Sequence, residues 1–277
     1  MAEADRGGRA NRSRPAAASL RAGVGGTGAL QPRLMSCPYE RVVENPGGSA
    51  GGGRRFVVGV SGASGAWYAL RLLELLLLAG HEVHLVVSEY GKRLLHDETP
   101  RGGPWAEHGV KRITRTTLAE LLPHLAASAH AAAFERLLVC HPNKDVGAVI
   151  ASGSFLHDGM VVIPCSSTSL GAMASGSGSN LLTRAAMVSL KERRPLIVCH
   201  REMPLSLIDL ENLRRLHLAG ATICSPNPGF YLMPERVEDI VDFTVGKVLD
   251  LLKVPHGLRT RWEHAGGGTA PEAQAEG

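Results

Sequence analysis

Between Arg184 and Pro204 the chain sets Arg184, Lys191, Arg193, Arg194 and Arg201 around one short apolar run, residues 196–199, and places a carboxylate, Glu202, directly after Arg201. A run this short and this apolar reads as a buried strand, so the charges stand at its two mouths. Cations gathered at strand ends suit a phosphate, because a dianion leaving water needs charge-assisted donors in place of its hydration. Glu202 among them has the chemistry of a proton donor to a departing oxyanion. For Lys191, Arg193 and Arg194 taken alone, a solvated helix face is the better explanation of the charges.

The scaffold for these groups is legible from residue 55 onward. Apolar, β-branched runs predict strands over 56–61, 83–88, 159–166, 196–200 and 221–224, and Leu/Ala-rich segments predict helices over 64–79, 89–97, 168–175, 180–191, 205–218 and 235–252. The strands show no in/out alternation, which predicts a parallel sheet covered on both faces: an α/β, doubly wound, three-layer α/β/α domain. From Pro100 to Asn143 only a helix over Ala126–Ala133 stands out, and the segment reads as surface elaboration.

Ligands of such sheets sit at the carboxyl ends of the strands. The residues there are Ser61, Gly62, Ala63, Ser64 and Gly65, then Ser88, then Cys165, Ser166, Ser167, Thr168 and Ser169, then Arg201 and Glu202, then Pro226–Tyr231. The Gly62–Gly65 turn comes after a strand and opens a helix, so its N–H groups are expected to hold a phosphate. It matches neither G-x-G-x-x-G nor a P-loop, and a plain tight turn would also explain its glycines. Hydroxyl-rich turns after three strands suit flavin mononucleotide (FMN), whose ribityl chain and ring edge take many neutral partners.

Composition narrows the field. Hydrophobic residues make up 44% and aromatic residues 4%, and of the net charge of +4 much belongs to the first 55 residues, with nine arginines against four acids. A near-neutral core with few stacking surfaces argues against nucleic-acid binding. The five cysteines (Cys37, Cys140, Cys165, Cys199, Cys224) form no C-x-x-C, and the twelve histidines form no ligand pair beside an acid, so no metal is expected and a reducing compartment is. No apolar run approaches the ~20 residues of a membrane span. Residues 1–54, rich in Gly, Ala, Ser and Arg, read as a disordered tail or a transit peptide, 55–262 as the domain, and 263–277 as a second tail. The expected location is cytoplasmic, or mitochondrial if the first segment is a transit peptide.

Taken together, Gly62-Ala-Ser-Gly65, Ile150-Ala-Ser-Gly-Ser-Phe155 with Gly159-Met160, Pro164-Cys-Ser166, Asn180-Leu-Leu-Thr-Arg-Ala-Ala186, Leu190-Lys-Glu-Arg-Arg-Pro-Leu196, Arg201-Glu-Met-Pro-Leu205 and Pro228-Gly-Phe-Tyr231 resemble the UbiX-type flavin prenyltransferases. The resemblance runs from about residue 55 to Trp262. It implies a flavodoxin-like homo-oligomer, typically a dodecamer. The implied reaction joins a dimethylallyl group from dimethylallyl monophosphate to N5 and C6 of reduced FMN, giving prenylated FMN for a UbiD-type decarboxylase. It further implies Lys191, Arg201, Tyr231 and Lys247 as phosphate-holding residues, Glu202 as the acid, Ser64 and Glu98 near the reacting flavin, and Tyr231 and Trp262 as aromatics beside an allylic cation. FMN contacts carry over to Gly62, Ala63, Ser64, Ser88, Ser166, Ser167, Thr168, Ser169 and Arg184.

The chain departs from the family pattern in three places. Lys247 stands where an Arg is usual, keeping the charge but losing the bidentate fork. The turn Ser166-Ser-Thr-Ser169 replaces the commoner Ser-Met-Lys-Thr, and Val149 replaces a frequent proline. Two other activities compete: an FMN-dependent decarboxylase of cysteinyl carboxylates, and a non-catalytic FMN carrier. Neither gives Lys191, Arg201 and Glu202 a task.

Overall fold

A computed structural model describes residues 53–99, 113–122 and 131–260. All but Gly53 and Arg54 of the proposed tails, together with Trp262 and most of the helix expected over 126–133, lie outside those residues.

Six strands, β1 (Arg55–Val60), β2 (Glu82–Val87), β3 (Leu138–Pro142), β4 (Gly159–Cys165), β5 (Leu196–His200) and β6 (Thr222–Ile223), form one parallel sheet in the order β3-β2-β1-β4-β5-β6. The five expected strands stand among these in the flavodoxin order, and β3 extends the sheet beyond β2. β3 corrects the reading of 100–143 as surface elaboration. Its Leu-Val-Cys-His-Pro sequence continues from a helix without a breaker and is only half buried, and Pro142 is tolerated because this strand is an edge.

The helices are α1 (Ala66–Leu78), α2 (Glu89–Glu98), α3 (Arg115–Leu121), α4 (Ala131–Leu137), α5 (Ser167–Ala174), α6 (Leu181–Lys191), α7 (Leu207–Leu218) and α8 (Val237–Leu251). The four inner strands, β1, β2, β4 and β5, feed both layers. Val58 and Val60 join Leu70, Leu73, Val245 and Leu249 under α1 and α8, while Val57 and Val162 join Leu182, Ala185 and Leu216 under α6 and α7, all of them buried. Burial on both faces explains the continuous apolar strands. α8 is further fixed to α1 by Arg71, 2% exposed, whose guanidinium meets Asp242 (2.7 and 3.2 Å) and Glu74 (2.9 Å). This forked pairing sets where α8 lies and therefore where its other side chains point.

The chain reverses direction across the sheet between β1 and β4. At that switch point neighbouring strands lead to opposite layers, the arrangement that in such sheets puts the ligand crevice at the carboxyl ends of those strands.

Candidate functional site

The crevice is built by two turns, the one after β1 and the one after β4, and a buried hydroxyl joins them. Ser61, fully buried, donates from its backbone N–H and from Oγ to Pro164 O (3.1 Å each), and its Oγ accepts from Ser166 N–H at 2.8 Å. Sequence reasoning placed Ser61 in the turn without a role. Its neighbours were visible as ligands, whereas a hydroxyl tie across strands far apart in sequence leaves no local signal.

The first turn differs from its expected use. Gly65 has φ 127°, a conformation that favours glycine, and its N–H together with that of Ala66 is taken by Glu98 Oε2 at 2.8 Å each. The expectation that this helix N-terminus holds a phosphate is thereby corrected: the end of α2 already supplies the anion. Gly62 likewise has no room for a Cβ, because Tyr90 Cβ occupies that space. Ser64 is exposed at the lip, and Ala63 is buried beneath it.

Ser88 caps α2, its Oγ accepting from Gly91 N–H at 3.0 Å. Ser166 caps α5, its Oγ accepting from Ser169 N–H at 3.3 Å and lying 3.4 Å from Ser169 Oγ. Ser167 and Ser169 are half-buried, and Thr168 is exposed. The hydroxyls are thus held by helix starts, which fixes their positions without chain-wide strain.

Arg201 and Glu202 come directly after β5 and are exposed, so they stand at the same carboxyl end. Arg201 N–H donates to Cys165 O at 3.1 Å, tying this segment to β4, and Glu202 Oε1 accepts from Met203 N–H at 3.1 Å. Tyr68, absent from the sequence-derived site, lies among these groups. Its phenol bonds Thr244 and feels the charges of Arg201 and Glu98, while burial raises its pKa. On the α8 side, Tyr231 sits in a 3-10 turn, Phe230–Leu232, with its ring edge-on to Phe243 at 5.8 Å. Lys247 Nζ is 3.9 Å from Asp250 Oδ2, and its charge also reaches Cys224, whose thiol is held low by a hydrogen bond with Cys199, against the opposing effect of burial, with Lys247 adding to the lowering.

Two cations behave differently. Lys191 ends α6, just before β5, so it stands at the amino end of the strand whose carboxyl end carries Arg201 and Glu202. Five strand residues separate them, roughly 15 Å. Lys191 pairs with Glu192 at 2.9 Å and lies against Gly153. Arg194, at the same end, donates to Phe155 O (2.7 Å) and Gly153 O (2.6 Å). It is a loop clamp rather than a phosphate ligand. Arg184 is exposed in the first turn of α6. One chain therefore does not bring Lys191 to Glu202. Among the described residues no group of three or more His, Cys, Asp or Glu is placed to hold a metal ion, and no helix is long and apolar enough to cross a membrane.

A parallel sheet with a hydroxyl-lined crevice at its switch point defines a class, and comparison with known proteins narrows it. The flavoprotein family matches residues 48–249. The flavin prenyltransferase UbiX of Thermoplasma acidophilum is 42% identical over 210 residues, covering 75% of this chain and 99% of that protein. The mitochondrial flavin prenyltransferase of Saccharomyces cerevisiae is 35% identical over 240 residues, covering 87% of this chain and 88% of its own length. Among solved structures, AnUbiX (PadA1) in complex with FMN and dimethylallyl pyrophosphate superposes with a TM-score of 0.63 at 34% identity, covering 76% of this chain and 98% of that one. A dodecameric FMN-dependent UbiX-like decarboxylase from Escherichia coli O157:H7 gives 0.62 at 37% identity, covering 76% and 99%. The chain belongs to the flavoprotein family and, within it, to the UbiX-type flavin prenyltransferases.

Proposed function

We propose that this enzyme transfers a dimethylallyl group from dimethylallyl monophosphate to N5 and then C6 of reduced FMN, and that the prenylated flavin serves a UbiD-type decarboxylase. The observation that carries the reading is the exposed Arg201–Glu202 pair at the carboxyl end of β5, beside two hydroxyl turns at the switch point. The donor set fits FMN. Serine and threonine hydroxyls at helix starts suit the ribityl chain and ring edge, and the pairing of Gly65 and Ala66 N–H with Glu98 leaves the flavin phosphate to Ser88, Ser166, Thr168, Ser169 and Arg184.

The transfer breaks the allylic C–O bond and forms the C–N bond as N5 gives up its proton; ring closure then joins the prenyl alkene to C6, the alkene taking up one proton as C6 releases another, so the net gain is C5H8. Arg201, Tyr231 and Lys247 hold the phosphate, and Glu202 gives a proton to the departing oxygen, which removes the energetic cost of a free trianion. Ser64 stands at the lip nearest the reacting edge, and Glu98 keeps its turn in place. Lys191 joins this set from a neighbouring copy, because within one chain it lies at the far end of β5. A closed homo-oligomer, such as the dodecamer of the E. coli neighbour, supplies that copy. Trp262 is assigned to the allylic cation alongside Tyr231. We place the reaction in the cytoplasm; the mitochondrion is the second compartment, because the yeast relative is named mitochondrial.

Anaerobic incubation with reduced FMN and either dimethylallyl monophosphate or the diphosphate, with mass spectrometry of the released flavin, tests the reading. A gain of one C5H8 unit, strongly slowed in Glu202→Gln, supports it and identifies the donor. Bound but unmodified flavin with both donors moves the function to decarboxylation or flavin carriage.

A further inference from the structure

The turn Ser166-Ser-Thr-Ser169, one of the chain's departures from its family, is held from behind by two residues that the prenyl transfer does not use. His200, 3% exposed at the end of β5, places Nε2 3.2 Å from Ser167 Oγ. Asp209, 6% exposed on α7, is hydrogen-bonded by Ser167, and its Oδ1 lies 3.9 Å from the same Nε2. The other carboxylate oxygen of Asp209 accepts from Ser206 Oγ (2.6 Å) and Ser206 N–H (3.1 Å). Serine, histidine and aspartate are the residue types of a hydrolytic triad, but this arrangement is not one. A triad needs the carboxylate on Nδ1, so that Nε2 is left to act as base toward the serine; here the carboxylate and the serine share Nε2.

Counting protons fixes each role. Ser167 has one hydroxyl hydrogen and two lone pairs, and a carboxylate only accepts. The Ser167 hydrogen therefore points to Asp209. Nε2 of His200, facing the same oxygen, must then carry a hydrogen and donate it. Burial holds His200 below the usual pKa, against the opposing pull of Asp209 and Glu202, so the imidazole is neutral near pH 7. One lone pair of Ser167 remains for the half-exposed side of the turn, and it can only accept.

We propose that His200 is a positioning residue that makes Ser167 a fixed hydrogen-bond acceptor in the flavin turn, so that Ser167 receives an N–H or O–H of the flavin rather than its phosphate. The ring N3–H and the ribityl hydroxyls are such donors. A phosphate dianion has no hydrogen to give and would face a lone pair. The proposal rests on the reading that this turn holds FMN.

Titration of FMN and of riboflavin, monitored by flavin fluorescence, into the wild-type oligomer and into Ser167→Ala, His200→Leu and His200→Gln tests it. Circular dichroism checks the fold of each variant. Ser167→Ala and His200→Leu are expected to weaken both flavins by the same factor, about threefold to tenfold for one lost hydrogen bond. His200→Gln, whose amide N–H can donate from a similar place, is expected to regain most of the loss, which a merely structural role of His200 would not produce. A loss confined to FMN makes Ser167 a phosphate ligand and overturns the proposal, as does unchanged affinity in all three variants of a wild type that binds flavin. A wild type that binds neither flavin removes the flavin reading itself, and the proposal with it.

Discussion

Glu98 ends α2 yet caps α1: its Oε2 accepts from Gly65 N–H and from Ala66 N–H, both at 2.8 Å. A carboxylate at a helix N-terminus satisfies two otherwise orphaned donors and complements the helix dipole. Glu98→Ala is expected to lower stability by about 1–2 kcal/mol, and Glu98→Gln, which keeps an acceptor but loses the charge, by about half that. Urea denaturation checks this as a fall in midpoint at constant slope. A Glu98→Ala midpoint equal to wild type would show that the cap contributes nothing.

The placement of Lys191 and Glu202 at opposite ends of β5 predicts complementation between subunits. Lys191→Ala and Glu202→Gln each lose most turnover alone. Mixed oligomers made by co-expression are expected to recover a fraction of wild-type activity, because some sites then receive Lys191 from one copy and Glu202 from another. Mixtures that stay as inactive as the single variants would remove Lys191 from the donor site.

Acid stability is expected to track buried imidazoles at the amino end of the sheet. Burial, reinforced by Arg194, pushes His157 from 6.5 to about 4, and burial also lowers His84, which lies 2.8 Å from His141. A depressed histidine pKa means that the unfolded chain binds the proton more readily. The stability from keeping His157 neutral is therefore fully present above pH 6.5 and is lost as pH falls from 6.5 through about 4, on the order of 2–3 kcal/mol. Thermal melts across this window are expected to fall less steeply in His157→Gln than in wild type. Parallel curves would exclude His157 as a contributor.

The core strands were legible in the sequence because burial on both faces leaves continuous apolar runs, and the limits expected for β5 are those observed. β3 was not, since an edge strand half open to solvent carries a weak pattern and Cys140 and His141 dilute it further. For the site, one-dimensional order identified the residues at the carboxyl end of each strand. It could not say that Glu98, at the end of the third element after the first turn, would occupy the α1 N-terminus, because that depends on the angle at which α2 returns. Nor could it separate Lys191 from Arg201: ten residues apart in sequence, they flank a strand whose length carries them to opposite ends of the sheet. Tyr68 and the bonding of Ser167 were hidden for a related reason. Their partners Thr244, His200 and Asp209 come from other elements.

Lys247 offers a gain rather than a loss. Its side chain is 44% exposed on α8, close enough to Asp250 for a weak pairing at 3.9 Å, and it directs one point charge toward the β6 end. Lys247→Arg restores a planar fork that can meet two phosphate oxygens at once. The expected result is a KM for the prenyl donor lowered about threefold to tenfold with kcat changed less than about twofold, since the added contact binds ground and transition states alike. Lys247→Met is expected to raise KM by a larger factor. If both variants leave KM unchanged, Lys247 serves the helix surface and its Asp250 pair, and the donor phosphate is held by Arg201 and Tyr231 on this subunit.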